Sequence, residues 1–281
     1  MANTLSASLV PDVIREAVIT TGKQKLAMLN GYSTDFGADE LAPRKTVQVS
    51  KATAGSTTLT NPTNFESGDS TLGNIAVTVN QLSQPFHLTN NELQSGHKLE
   101  RLVEINVSAF MKSIVDVALT PVTVANFGAK AFTGAASTFD IDDLKTLWGA
   151  GKDFDEKHIV LDGDYFAQFL PANKDSFAWE DGAYGYDGFY LNNRWDGADA
   201  NITGFVCDRS AIAVASGLPS VTPAVAGQMY DQQVITLEGL GLQVQMNHWA
   251  SSSTRQEWIS LDVMFGANAG DTDKLKLIAS A

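Results

Sequence analysis

Four histidines, one cysteine and three short acidic runs are the residues of this chain whose types could carry chemistry. His87, His97, His158 and His248 are scattered, and none has the i, i+4 spacing that brings two imidazoles to one helix face around zinc. They are read as surface or strand-end histidines. Cys207 could form a nucleophilic dyad with a histidine, but any chain with one cysteine and four histidines permits that pairing. It lies in the apolar run Gly204-Phe205-Val206-Cys207, which points to a buried, inert thiol. The runs Asp153-Phe154-Asp155-Glu156, Asp162-Gly163-Asp164 and Asp196-Gly197-Ala198-Asp199-Ala200-Asn201 hold the oxygen donors a divalent cation needs. None has calcium-loop spacing, and Asp with Gly also makes turns and helix caps through local hydrogen bonds, which is the expected role here. The sequence has no Gly-x-x-x-x-Gly-Lys-Ser/Thr phosphate loop and no Gly-x-Ser-x-Gly elbow, and Gly239-Leu240-Gly241 lacks the third glycine of a dinucleotide fingerprint. No catalytic residue, metal ligand or cofactor is assigned, and the chain is not expected to be an enzyme.

The elements that would position any site are clearer. With 281 residues, 44% hydrophobic and 18% charged, the chain is long enough for a sizeable core. Its net charge of −13 disfavours phosphate-held nucleic-acid binding, although an acidic protein can enclose DNA without adhering to it. One cysteine excludes an intrachain disulfide and fits a reducing cytoplasm. The first ten residues lack the pattern of a signal peptide, and no apolar run approaches a membrane span.

Residues 1–35 read as an arm. Val13, Ile14, Ala17 and Val18 form a short apolar stripe that needs the rest of the chain, or a neighbouring chain, to cover it. Residues 36–88 read as a long two-stranded hairpin, because Val47 and Val49, then Ile75, Val77 and Val79, alternate with polar residues on either side of a Thr- and Ser-rich stretch. Such a projecting segment has few contacts of its own, and a flexible surface loop is the equal alternative from the residues alone. Thr89-Asn90-Asn91-Glu92 fits a capping box, although Gly96 sets a later start for the helix. Leu99, Val103, Val107, Phe110, Ile114 and Val117 then predict one long helix, stopped by Pro121. Residues 123–233 read as a compact α/β region. In it Asp140 caps a helix with Ile141, Leu144, Leu147 and Trp148 on one face, and His158–Leu161 is a short buried strand. Residues 234–281 return to strand, with Leu240, Leu242, Val244 and Met246 alternating and Ile259, Leu261 and Val263 alternating against Trp258, Ser260 and Asp262. Gly266 is expected to break that second strand, and residues 274–278 to add a short last one.

The order of arm, hairpin, long helix, α/β region and final strands resembles the tailed-bacteriophage major capsid (coat) protein family, the Hong Kong 97-like fold shared with encapsulin shells. The run from Gly204 through Arg209-Ser210-Ala211-Ile212-Ala213-Val214-Ala215 resembles the family's strand followed by a helix entry. Gly241–Met246 and Leu261–Ala267 resemble its paired final strands. The resemblance implies an α+β capsid fold. Its parts would be an N-terminal arm (1–35), an extended loop (36–88), a peripheral domain with a spine helix (89–122 and 234–281) and an axial domain (123–233). It implies pentamers and hexamers in an icosahedral shell enclosing double-stranded DNA, assembled in a bacterial cytoplasm, with a portal and a separate scaffolding protein as partners and no membrane. The alternative is an encapsulin-like compartment. Lys51, Phe65, Glu66 and Asp69, all on the extended loop, are nominated as contacts between subunits.

Overall fold

Alternation of apolar and polar residues builds a sheet around one long strand. The computed structural model describes residues 9–41, 44–53, 71–89, 96–169, 183–192, 201–221, 227–229, 231–251 and 256–281. Its strands are β1 (Ser33–Leu41), β2 (Thr46–Thr53), β3 (Thr71–Thr78), β4 (Asn80–Thr89), β5 (Phe132–Thr133), β6 (His158–Leu161), β7 (Gly188–Leu191), β8 (Ile202–Cys207), β9 (Ile212–Pro219), β10 (Asp231–Thr236), β11 (Gln243–Ser251), β12 (Gln256–Ala269) and β13 (Leu275–Ala279). The main sheet runs β1-β9-β12-β11-β10, with β4 on the other side of β12. Pairing is antiparallel except between β1 and β9. β12 pairs with β4 from Gln256 to Phe265; along its opposite edge it pairs with β11 as far as Asp262 and with β9 from Met264 onward.

Period two sends Ile259, Leu261, Val263 and Phe265 of β12 to one face, where all four are fully buried. They share one core with Leu99, Val103, Val107, Phe110 and Ile114 of the long helix, Gly96–Leu119. At 1.5 Å per residue its 24 residues span about 36 Å. The described helix runs from Gly96; Thr89 pairs with Gln256 at the end of β4, and Asn90–Glu92, the rest of the expected capping box, lie outside the described residues.

The expected N-terminal arm is, over its described part, a piece of the body. The first helix, Leu9–Lys25, buries Val10, Ile14 and Val18 in the main core, and the Lys25 ammonium donates to Ser108 Oγ of the long helix at 2.8 Å. The apolar stripe finds its cover within the same chain.

A second sheet, β5-β13-β8-β6-β7, carries the smaller core of Phe139, Leu144, Leu147, Ile159, Tyr165 and Tyr186. β11 and β12, the expected final pair, do pair in the main sheet, and the last short strand, β13, joins this second one. Asp140 caps the helix Ile141–Ala150 as expected: its Oδ1 accepts from the backbone N–H groups of Asp142 and Asp143, and Asp143 reciprocates on the Asp140 N–H. Only Leu144 and Leu147 of the expected stripe face inward. Ile141 and Trp148 overhang the core at the two helix ends and are 48% and 43% exposed. The Trp148 indole N–H donates to Gly185 O, and Lys157 lies over its ring.

Two further expectations are corrected. Arg209–Ala211 is one 3-10 turn, capped by Asp208 through the Ser210 N–H, and the chain continues as β9 with no helix. Ile212 and Val214 are β-branched and buried, which favours the strand between β1 and β12. Gly266 does not break β12, which runs through it to Ala269. A side chain at 266 would collide with the Thr78 carbonyl, so this glycine lets another layer of backbone approach the sheet. Replacing Gly266 with Ala should destabilise the protein by roughly 1–3 kcal/mol through overpacking against backbone, read as a lower midpoint in denaturant-induced unfolding.

Candidate assembly surface

The layer that Gly266 admits is the base of a ribbon. β2 and β3 pair in continuous register from Thr46↔Thr78 to Thr53↔Thr71. Val47 faces Val77 across the strands, and Val49 faces Ile75, as the alternation requires. Val49, Val77 and Val79 pack with Leu41, Ala213, Ala215 and Met264, so the ribbon sits on the face of the main sheet opposite the long helix. The Asn268 side-chain amide donates to Ala76 O at 2.9 Å, and Arg44 and Val79 tie the two ends of the ribbon through backbone bonds. The expectation that this segment has few contacts of its own is corrected at its base. The distal half is another matter. Phe65, Glu66 and Asp69 lie outside the described residues; Lys51 is in β2 opposite Gly73, and its side chain lies outside the described set.

Past the ribbon base, the same sheet face turns polar. Register places Ser83 beside Asp262, Pro85 beside Ser260 and His87 beside Trp258, while Trp249 of β11 faces Trp258 from the other side. His87 and Trp249 both lie against the Trp258 ring, with centroids 5.0 and 6.3 Å away. Gln245, Asn247, Ser260 and Asp262 are all buried. Asp262 Oδ2 accepts from Ser260 Oγ at 2.5 Å and from Asn247 Nδ2 at 2.8 Å, and Asn247 Oδ1 accepts from Gln245 Nε2 at 2.9 Å. A cavity of about 440 Å³ opens over this floor. Sequence reading missed this cluster, because strand alternation assigns these side chains to an outward face without saying that the face is covered. The available signal was its chemistry: amides, Ser and one Asp replace the Lys and Glu usual on a solvated strand face.

The residues nominated for chemistry do structural work. Cys207 is buried, burial pushes its thiol well above the usual range, and its S–H points at Gly31 O. His158 opens β6 as a strand-end histidine, whereas His248 lies within β11; both are buried and contact Glu156 and Glu257 at 3.2 and 3.1 Å. Asp162 caps a short helix through the Gly163 N–H. Asp155 and Glu156 flank a clip in which burial opposes the Asp208 carboxylate, but N–H donors from Ser210 and Asp155 and the Ser210 hydroxyl outweigh it and hold that carboxyl below its usual value. Asp196–Ala200 lie outside the described residues. Among the described residues no three His, Cys, Asp or Glu side chains converge on a metal-sized point, and no helix is long and apolar enough to cross a membrane.

Solved structures share this fold. No protein-family model and no curated protein matches the sequence. A virus-like particle from Pyrococcus furiosus superimposes with a TM-score of 0.55 at 8% identity, over 95% of this chain and 98% of that one. The capsid of an empty GTA particle gives 0.53 at 15% identity, over 92% and 90%, and Mycobacterium phage Bobi gives 0.51 at 13%, over 92% and 90%. The fold is the Hong Kong 97-like capsid fold. In Hong Kong 97-like terms the α+β class, a two-stranded ribbon and the long helix are as the sequence resemblance implied, and the superposition runs across nearly the whole chain.

His248 makes the sheet sensitive to acid. Burial lowers its pKa from 6.5, against the opposing pull of Glu257 and Asp231. A histidine that binds its proton less readily when folded contributes stability fully above the unfolded value, and that contribution is lost as pH falls below it. The melting temperature should therefore decline from about pH 6.5 downward, and His248→Gln should flatten that slope in thermal melts between pH 7.5 and 5.

Proposed function

We propose that this protein is a major capsid protein of the tailed-bacteriophage type, whose copies join as pentamers and hexamers into an icosahedral shell around double-stranded DNA. What carries this reading is end-to-end agreement of its fold with phage and GTA capsid subunits. In this assignment residues 89–122 and 234–281 form the peripheral domain and residues 123–233 the axial domain around the five- and six-fold centres, except that strand pairing groups β9 with the peripheral sheet and β13 with the axial one. The ribbon is the extended loop, and its distal residues, with Lys51, Phe65, Glu66 and Asp69, lie over a neighbouring subunit. Heterologous contacts of this kind close into rings, and many weak ones cooperate in one shell. A net charge of −13 suits a wall that holds DNA without gripping it. A portal and a separate scaffolding protein complete the set of partners, and assembly takes place in the host cytoplasm.

One observation favours a second reading, an encapsulin-like compartment: the virus-like particle from Pyrococcus furiosus covers slightly more of the chain than the phage capsids do. Content separates the two. Particles from the native source should protect double-stranded DNA from nuclease under the first reading and retain a protein cargo under the second.

The purified protein, with scaffolding protein supplied where needed, should give hollow closed particles in negative-stain images; persistent monomers or open tubes would overturn the shell reading. Thr53 and Thr71 face each other across the ribbon, so residues 54–70 can be replaced by an Asn-Gly hairpin turn. That variant should keep its melting temperature within a few degrees, because the ribbon base packs on its own chain, and should lose particle formation.

A further inference from the structure

We propose that the cavity over Asp262 receives the ammonium group of a lysine from a second copy of this chain. The assignment rests on the shell reading and adds a specific contact to it.

Asp262 lines the cavity yet is only 4% exposed. Its two oxygens are unequally satisfied. Oδ2 already accepts from Ser260 Oγ and Asn247 Nδ2, whereas Oδ1 has only the Gln81 side-chain amide at 3.5 Å. All three donors are neutral, and among the described residues no lysine or arginine forms an ion pair with this carboxylate. Buried charges are otherwise paired, because a carboxylate removed from water needs a counter-charge as well as hydrogen bonds. An oxygen with a single long hydrogen bond, beside one occupied twice, selects among cations. A guanidinium binds best as a planar fork on both oxygens, and here the second is occupied twice; an ammonium is a compact donor that needs only one. The walls suit the rest of a lysine, since Pro85, Pro219, Val221, Met229 and Trp249 offer apolar surface along which four methylenes can lie.

Net charge says where the lysine comes from. Copies carrying −13 each repel one another, so subunits that pack at high density need local pairs of opposite sign at their contacts. A concave, buried anion within the sheet face that also seats the ribbon base meets that need on one side.

The test uses particles assembled from a mixture of unlabelled and ¹⁵N-labelled chains, treated with a water-soluble carbodiimide, which joins a carboxylate to an amine in contact with it. Mass spectrometry should find the Asp262 peptide joined to a lysine peptide of the opposite label, in particles and not in dissociated subunits. As a second measurement, Asp262→Asn, checked as folded by near-ultraviolet circular dichroism, should raise the protein concentration needed for particles at least about tenfold. Well-formed wild-type particles with Asp262 unlinked, or linked only within one copy, together with an unchanged assembly threshold for the variant, would overturn the cavity assignment and leave the shell reading intact. Failure of the wild type to form particles at all would overturn both.

Discussion

The structure depends on burying one face of β12 against the long helix. Ile259, Leu261, Val263 and Phe265 are fully enclosed there, and removing any one of them from water contributes on the order of 1.5–3 kcal/mol. Strand geometry ties that burial to a second requirement, because alternate residues must point the other way. On that opposite face the chain places, in order along β12, Trp258, Ser260, Asp262, Met264 and Gly266. Two of these seat the ribbon base, two floor a polar cavity and one anchors an aromatic row. That face is thereby part apolar seat and part polar floor, and its position is set by the core behind it.

Periodicity made the long helix and the ribbon strands legible, since 3.6-residue and two-residue patterns are local properties. What it could not report is which surface covers a given apolar stripe. Ile14 and Val18 were correctly apolar in pattern, but only the fold shows that their cover is the long helix of the same chain and not a neighbour. Gly266 illustrates the same gap: a glycine in a strand can mark an end or a close approach, and the approaching backbone comes from Thr78, far away in sequence. The helix entry at Arg209–Ala211 is implied by the resemblance alone; the β-branched Ile212 and Val214 suit a strand, and pairing on both edges of β9 makes it one. The polar cluster under the cavity was invisible for a related reason. Its four members come from two strands joined by register, and burial from outside depends on β4 and on the segment after β9.

Fold and function are separate inferences. A capsid fold can host different contents, and identities of 8–15% speak to backbone arrangement alone.

The pairing of β4 with β12 has a further consequence for synthesis. β4 leaves the ribosome long before its partner, and β1 likewise precedes β9. Until the late strands emerge, early ones expose unpaired backbone and apolar side chains, the condition in which nascent chains stick to one another. Pairings so distant along the chain also make folding slow. A polypeptide whose keystone strand is translated so late leaves its early strands without their partners through most of its synthesis.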